Sequence, residues 1–239
     1  MNILKHLLPL VVLVFAASCS DDNNSGLPSL DGTFSTIVTY EGSTDTGSTF
    51  TVTEPGTTVL TTFTSIRKFP TEGTGALAKG ERVLIYYKNT AEKRYASGAI
   101  DLRGIMKIYN GKAELKTQSE ISPLRVDFID VKTVEMAGEY VDLVATAAAS
   151  SAAVFGLYID EATADDEFPV AYVVFSSDAP SAAERTVYGS FSVADVWNRS
   201  TCRGLRVRYN TMSGQRDTTF PKSSQPIRPM ECPPGSVSV

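Results

Sequence analysis

From about residue 31 onward the chain alternates apolar and polar residues in short runs, each bounded by Gly, Ser, Asp or Pro. A period of two sends successive side chains to opposite faces of a strand, one toward a core and one toward solvent. Residues 33–40 (TFSTIVTY) and 48–53 (STFTVT) show the pattern, and the turn-rich stretch Gly42 to Gly47 between them predicts a hairpin with a loose loop. Residues 58–64 are a third candidate strand, 71–79 read as a loop, and 80–87 (GERVLIYY) are the clearest strand of this half. The run 95–109 alternates through Ile100, Leu102, Ile105 and Ile108, and Gly104 within it predicts a bulge or sharp bend. Five short, curved strands within 31–118 predict a small OB-like β-barrel.

Pro123 opens a second register. Runs at 124–134, 140–145, 154–159, 170–176, 186–193, 204–211 and 217–220 are separated by turn signals. Seven short strands of this kind predict an Ig-like β-sandwich over 119–221, although no Cys…Trp…Cys core pattern accompanies it. The Ala/Ser-rich stretch 145–153 reads as a helical turn or a loop, and 222–239, with Pro226, Pro229, Pro233 and Pro234, as a Pro-rich tail. No helical periodicity competes with these strands, so the fold class is all-β.

The first 18 residues follow a different rule. Lys5 precedes an apolar run, Leu7 to Phe15, which ends in Ala16-Ala17-Ser18-Cys19. This is a charged n-region, a short h-region and a small-residue cleavage site. The run is too short for the ~30 Å of hydrocarbon that a spanning helix must cross. Small residues directly before a Cys resemble the lipobox of bacterial lipoproteins, with Ala16 where Leu is usual. That resemblance implies cleavage before Cys19 and acylation of its thiol and amino group. At ~0.8 kcal/mol per buried CH₂, two or more acyl chains hold a protein stably at a membrane. Residues 19–30 are then the anchor and a polar linker. Ser20-Asp21-Asp22-Asn23-Asn24 within it resembles the signal that carries lipoproteins of Bacteroides-like bacteria to the outer face of the outer membrane, and a solvated spacer is the plainer reading.

Composition narrows the chemistry. The one His in the chain, His6, lies in the signal peptide. The mature chain therefore offers no imidazole to a Ser-His-Asp or Cys-His arrangement or to a metal. With Cys19 acylated, Cys202 and Cys232 remain: either they bridge, closing a loop of about 30 residues worth roughly 3–4 kcal/mol, or they stay as two free thiols. Residues 31–118 carry eleven Lys/Arg against nine Asp/Glu, too even a balance for a nucleic-acid surface. Residues 119–225 carry nine against fifteen, the acids clustering at Asp160-Glu161 and Asp165-Asp166-Glu167. That cluster lacks the spacing of a calcium loop and reads as a solvated turn. Tyr86, Tyr87 and Trp197 are the aromatic candidates for stacking on a sugar, each more simply explained by packing. Arg206 and Arg208 share one strand face, expected toward solvent. No metal or other cofactor is expected.

The lipobox, the SDDNN stretch, the barrel run GERVLIYY and a second unit containing RVDFIDV (125–131) and EYVDL (139–143) together resemble the NigD-like lipoproteins of Bacteroidetes. The resemblance spans nearly all of the mature chain and implies an N-terminal OB-fold domain and a C-terminal β-sandwich domain. The family takes its name from a bacteriocin-associated operon and has no established catalytic residues, so none carry over. The expected function is that of a non-enzymatic envelope lipoprotein on the outer membrane, exposed at the cell surface or facing the periplasm, with a protein or glycan partner. Two alternatives stand beside it: a fimbrial or adhesin-like subunit, and a small carbohydrate-active enzyme. Fimbrial subunits of this type are cut after a basic residue beyond the lipobox, and here the first such residue after Cys19 is Arg67, inside a folded unit. A carboxylate-pair enzyme needs a cleft with two acids ~5–9.5 Å apart.

Overall fold

The computed structural model describes residues 32–70, 72–73, 75–124, 129–148, 154–176 and 183–222. The first strands are β1 (Phe34–Thr44), β2 (Gly47–Thr53), β3 (Leu60–Ser65), β4 (Arg82–Asn89) and β5 (Gly98–Lys107). They close a barrel in the order β1-β2-β3-β5-β4, with β4 returning antiparallel to β1 and β3 meeting β5 in parallel. This is the expected OB-like barrel. Val38, Tyr40, Phe50, Phe63, Ile85 and Tyr87 fill it, each taken from the inward half of an alternating run.

The hairpin of β1 and β2 is tighter than its Gly content predicts. Pairing continues to Thr44↔Gly47, so the turn is Asp45-Thr46 alone, and an irregularity at Glu41 absorbs the register. Gly47 makes this turn feasible: it sits at φ +143°, and a Cβ there would lie 1.9 Å from the Ser65 carbonyl oxygen. Gly104 does mark an irregularity, since Tyr86 pairs Gly104 while Tyr87 pairs Leu102, which leaves Arg103 as the extra residue.

The second unit is a β-sandwich. Its strands are β6 (Tyr109–Lys112), β7 (Glu114–Lys116), β8 (Ile129–Ala137), β9 (Tyr140–Ala148), β10 (Val154–Asp160), β11 (Val170–Ser176), β12 (Glu184–Ser192), β13 (Gly204–Thr211) and β14 (Gly214–Pro221). One sheet runs β14-β13-β11-β10-β7 and the other β6-β12-β9-β8. Each of the seven expected runs contains a strand; in the first, Leu124 belongs to a 3-10 turn and the strand is described from Ile129. Two short helices, α1 (Gln118–Ile121) and α2 (Ala194–Trp197), complete the described elements with two single 3-10 turns. Part of the Ala/Ser-rich stretch, up to Ala148, continues β9 as strand rather than helical turn or loop; 149–153 lie outside the described residues, as do 125–128.

Residues 109–116, grouped with the barrel by their sequence, belong to the sandwich sheets. β6 pairs in parallel with β12, β7 in parallel with β10, and the chain changes sheet at the buried Ala113, whose N–H donates to Ser192 O at 2.8 Å. The barrel's last strand thus leads straight into one closed side of the sandwich, and no independent linker separates the two units. Between the sheets, Phe155, Leu157, Val173, Phe191 and Leu205 form the core.

Candidate functional site at the barrel–sandwich junction

Strand β4 is buried on both faces, which explains the near-continuous apolar run Val83 to Tyr87. Its odd-numbered residues fill the barrel, while Arg82, Leu84 and Tyr86 face the sandwich. Leu84 packs with Ile37 of β1 and Tyr188 of β12, and Tyr86, Ile108 and Val144 surround them. Burial first, and then the neighbouring Tyr86, hold the Tyr188 phenol above its ordinary range.

Beside this apolar contact lies a buried ion pair. The Arg82 side chain is 4% exposed, and its Nη2 donates to both carboxylate oxygens of Asp142 on β9, at 2.7 and 2.6 Å. Its Nε donates to Ser190 Oγ on β12 at 2.8 Å, and Nη1 to Thr39 Oγ1 at 3.2 Å. The Ser190 hydroxyl passes its own proton to Asp142 Oδ1 at 2.6 Å, and the guanidinium carbon lies 4.5 Å from the centre of the Tyr140 ring. Every strong donor and acceptor is therefore matched, which is the condition under which a buried pair is tolerated.

A second cation from the barrel stands nearby under different terms. The β4–β5 loop is pinned by Asn89, which donates to Ala96 O, by Thr61, which donates to Tyr95 O, and by the Tyr87 hydroxyl on Arg94 O. That holds Arg94 over Tyr95, with Nη2 donating to Ser35 O at 2.8 Å. Arg94 Nε is the one buried side-chain polar atom among the described residues with no partner. The Arg94 side chain helps line a cavity of about 30 Å³, together with Thr36, Val52, Pro55, Tyr95, Glu135 and Asp142, among others. Burial raises the Glu135 carboxyl above its ordinary range; the Arg94 charge opposes this and the Asp142 charge adds to it.

The cavity has room for a water or two and no more. Glu135 and Asp142 sit directly opposite each other in the β8–β9 ladder, the one carboxylate pair that this site presents. With Asp142 held by Arg82 and so little space beside it, the pair does not face a cleft that admits a sugar ring. What the junction does is hold two modules in one arrangement.

The residues singled out by sequence lie elsewhere. Tyr87 is fully buried in the barrel, and Tyr86 packs in the junction. Trp197 leans on the sandwich core with Lys222 Nζ 5.2 Å from its ring centre. Asp160 caps the turn that follows it by accepting from Ala162 N, and Asp165 pairs with Arg199. No group of three or more potential metal ligands occurs among the described residues. Arg206 and Arg208 share the outer sheet face as expected; Arg206 is exposed, and Arg208 makes a two-pronged contact with Asp217 at 2.8 and 2.8 Å. Asp142 and Ser190 are polar residues inside apolar runs, a local sign of a buried polar group, whereas Arg82 opens its strand and carries no such sign.

Cys19 and Cys232 lie outside the described residues. Cys202 is buried and unpaired among them, its Sγ 3.2 Å from Gly204 O. Lys222 N donates to Arg203 O, so the chain leaves the sandwich beside Cys202, within reach of the ten residues that lead on to Cys232. We expect unreduced protein digested for mass spectrometry to yield a Cys202–Cys232 cross-linked peptide. Recovery of both cysteines as alkylated thiols would exclude the bridge.

No protein-family model and no curated protein matches the sequence. Solved structures do match in fold. A protein of unknown function from Bacteroides vulgatus is 14% identical, with 84% of this chain and 94% of that chain covered at a TM-score of 0.60. A NigD-like immunity protein from Bacteroides caccae is 16% identical, covering 80% of this chain and 93% of its own at a TM-score of 0.53. A protein described as a candidate lipoprotein, from Bacteroides fragilis, is 11% identical, covering 79% and 96% at a TM-score of 0.50. The chain shares the two-unit all-β fold of these proteins across nearly their full length.

Proposed function

We propose that this chain is a NigD-like cell-envelope lipoprotein, tethered to the outer membrane through acylated Cys19, that works as a non-enzymatic binding or accessory module. The observation that carries the reading is the combination of a lipobox with a two-unit β fold shared with a NigD-like immunity protein and a candidate lipoprotein. The junction supports it: Arg82, Asp142 and Ser190 satisfy one another, and the cavity beside them is too small for an organic substrate. Among the described residues no helix is long and apolar enough to cross a membrane. The partner is a protein or a glycan met by the outer faces of the two units. An immunity role, in which the partner is a toxin, is the protein-partner form of the same reading. No nucleic acid is involved.

Protease shaving of intact cells, run beside a Cys19→Ala variant, tests anchor and exposure together. Wild-type protein is expected to fractionate with the outer membrane and to be lost on shaving, while Cys19→Ala is released as soluble protein. Membrane association that survives Cys19→Ala would overturn the anchor. Protection of wild-type protein until the outer membrane is opened would turn the module inward, to a periplasmic accessory role.

A further inference from the structure

The barrel presents two arginines to two carboxylates of the sandwich, and the two halves of that arrangement are unequal. Arg82 and Asp142 are in direct, fully bonded contact. Arg94 and Glu135 share the rim of the cavity without an ion pair between them, and Arg94 Nε has no protein partner. Glu135 is also forced against its neighbour: it stands opposite Asp142 in the β8–β9 ladder, where like charges repel.

We propose that Arg82–Asp142 is the fixed pivot of the junction and that Glu135, facing Arg94 across the cavity, is a proton-sensitive latch whose ionisation loosens the docking of the β2–β3 loop on the sandwich. Every element around the cavity contributes to the balance. The β4–β5 loop brings Arg94 and Tyr95, β9 brings Asp142 paired with Arg82, β12 brings Tyr188, and uncharged residues, Thr36, Val52, Pro55 and Thr133 among them, complete the wall. The loop carries Pro55 at the cavity, beside Val52 near the end of β2, and ends its docking one residue from Glu135, where Gly56 N donates to Met136 O at 3.1 Å. With Glu135 protonated, the repulsion with Asp142 is gone and the carboxyl becomes a donor within the cavity. With Glu135 ionised, its buried charge draws water between the units, a cost that the attraction of Arg94 offsets only in part.

The sign follows from burial. The folded chain holds the Glu135 proton more tightly than the unfolded chain, so this group's contribution is most favourable at acid pH. It is lost as pH rises from the ordinary glutamate range through the raised one.

The test is a pair of measurements on the full mature chain carrying Cys19→Ala. Carboxyl ¹³C NMR follows the Glu135 titration, and hydrogen exchange, corrected for intrinsic rates, follows protection of the Gly56 amide. In the wild-type junction, Gly56 protection is expected to fall about fivefold as pH rises, with the midpoint of the Glu135 titration. Glu135→Gln, which keeps shape and removes the charge, should hold the high protection at every pH. Arg94→Met should move the Glu135 midpoint further up, since the opposing charge is lost. Gly56 protection that ignores pH, or a step that persists in Glu135→Gln, would overturn the proposal.

Discussion

Arg82→Met is expected to lower the unfolding free energy by about 3–5 kcal/mol, because it strands a buried carboxylate. Asp142 is 8% exposed and receives both of its strong donors, Arg82 Nη2 and Ser190 Oγ, within the junction. Methionine fills much of the space of the arginine stem and supplies neither charge nor proton, so the loss reads the broken pair rather than a large void. Arg82→Met combined with Asp142→Leu should recover most of the loss, since the uncompensated charge is then gone too. Equilibrium unfolding in urea measures both. Trp197 is the single Trp and lies in the sandwich, so its fluorescence follows that unit while circular dichroism follows both. We expect the two signals to separate in Arg82→Met and to coincide again in the double variant. A single variant within about 1 kcal/mol of wild type would mean that the apolar contact of Ile37, Leu84 and Tyr188 holds the units together without it.

Phe155→Ala is the second large loss, about 3–5 kcal/mol by the cost of deleting a buried ring. Phe155 sits on β10 and meets Tyr109 of β6, Phe175 of β11 and Phe191 of β12 edge-on, at centroid distances of 5.8, 6.2 and 5.7 Å. One ring thus ties together both sheets and the strand through which the chain enters the sandwich. Gly189 shows how closely it is seated: a Cβ there would lie 2.8 Å from the Phe191 ring and 2.9 Å from the Phe155 ring. Gly189→Ala should therefore cost about 1–3 kcal/mol, and less in a Phe155→Leu background, where the crowding is relieved. Thermal unfolding of the three variants checks this. An unchanged cost of Gly189→Ala in the Phe155→Leu background would place the strain on Phe191 alone.

Residues 80–87 show both the reach of local pattern and its limit. A strand is evident there, because apolar β-branched and aromatic residues follow a Gly-charged turn. Two buried faces are evident as well, since the run hardly alternates. The identity of the second face is not. Tyr86 and Leu84 look like members of the same core as Tyr87 until a second unit is laid against them. Arg82 looks like a solvent-facing start to the strand, because the groups that bury it lie 60 and 108 positions further along. Residues 109–116 show the same limit from the other side. As a short polar stretch they have no face of their own to read, and they become strands only because β12 and β10 offer open edges for parallel pairing.

Local chemistry decided the all-β character, the positions of most strands, the apolar and small-residue run that ends at Cys19 and the absence of histidine after residue 6. Each depends on residues within a few positions of one another. The order of strands around the barrel, the assignment of 109–116 to the sandwich, and the pairing of Arg82 with Asp142 and Ser190 were decided by the tertiary structure. These rest on contacts between distant segments, and a polar residue in a strand is solvated or buried according to what covers its face. The unequal treatment of the two arginines has the same origin: Arg82 meets a carboxylate at bonding distance, while Arg94 shares a small cavity with one and forms no ion pair with it.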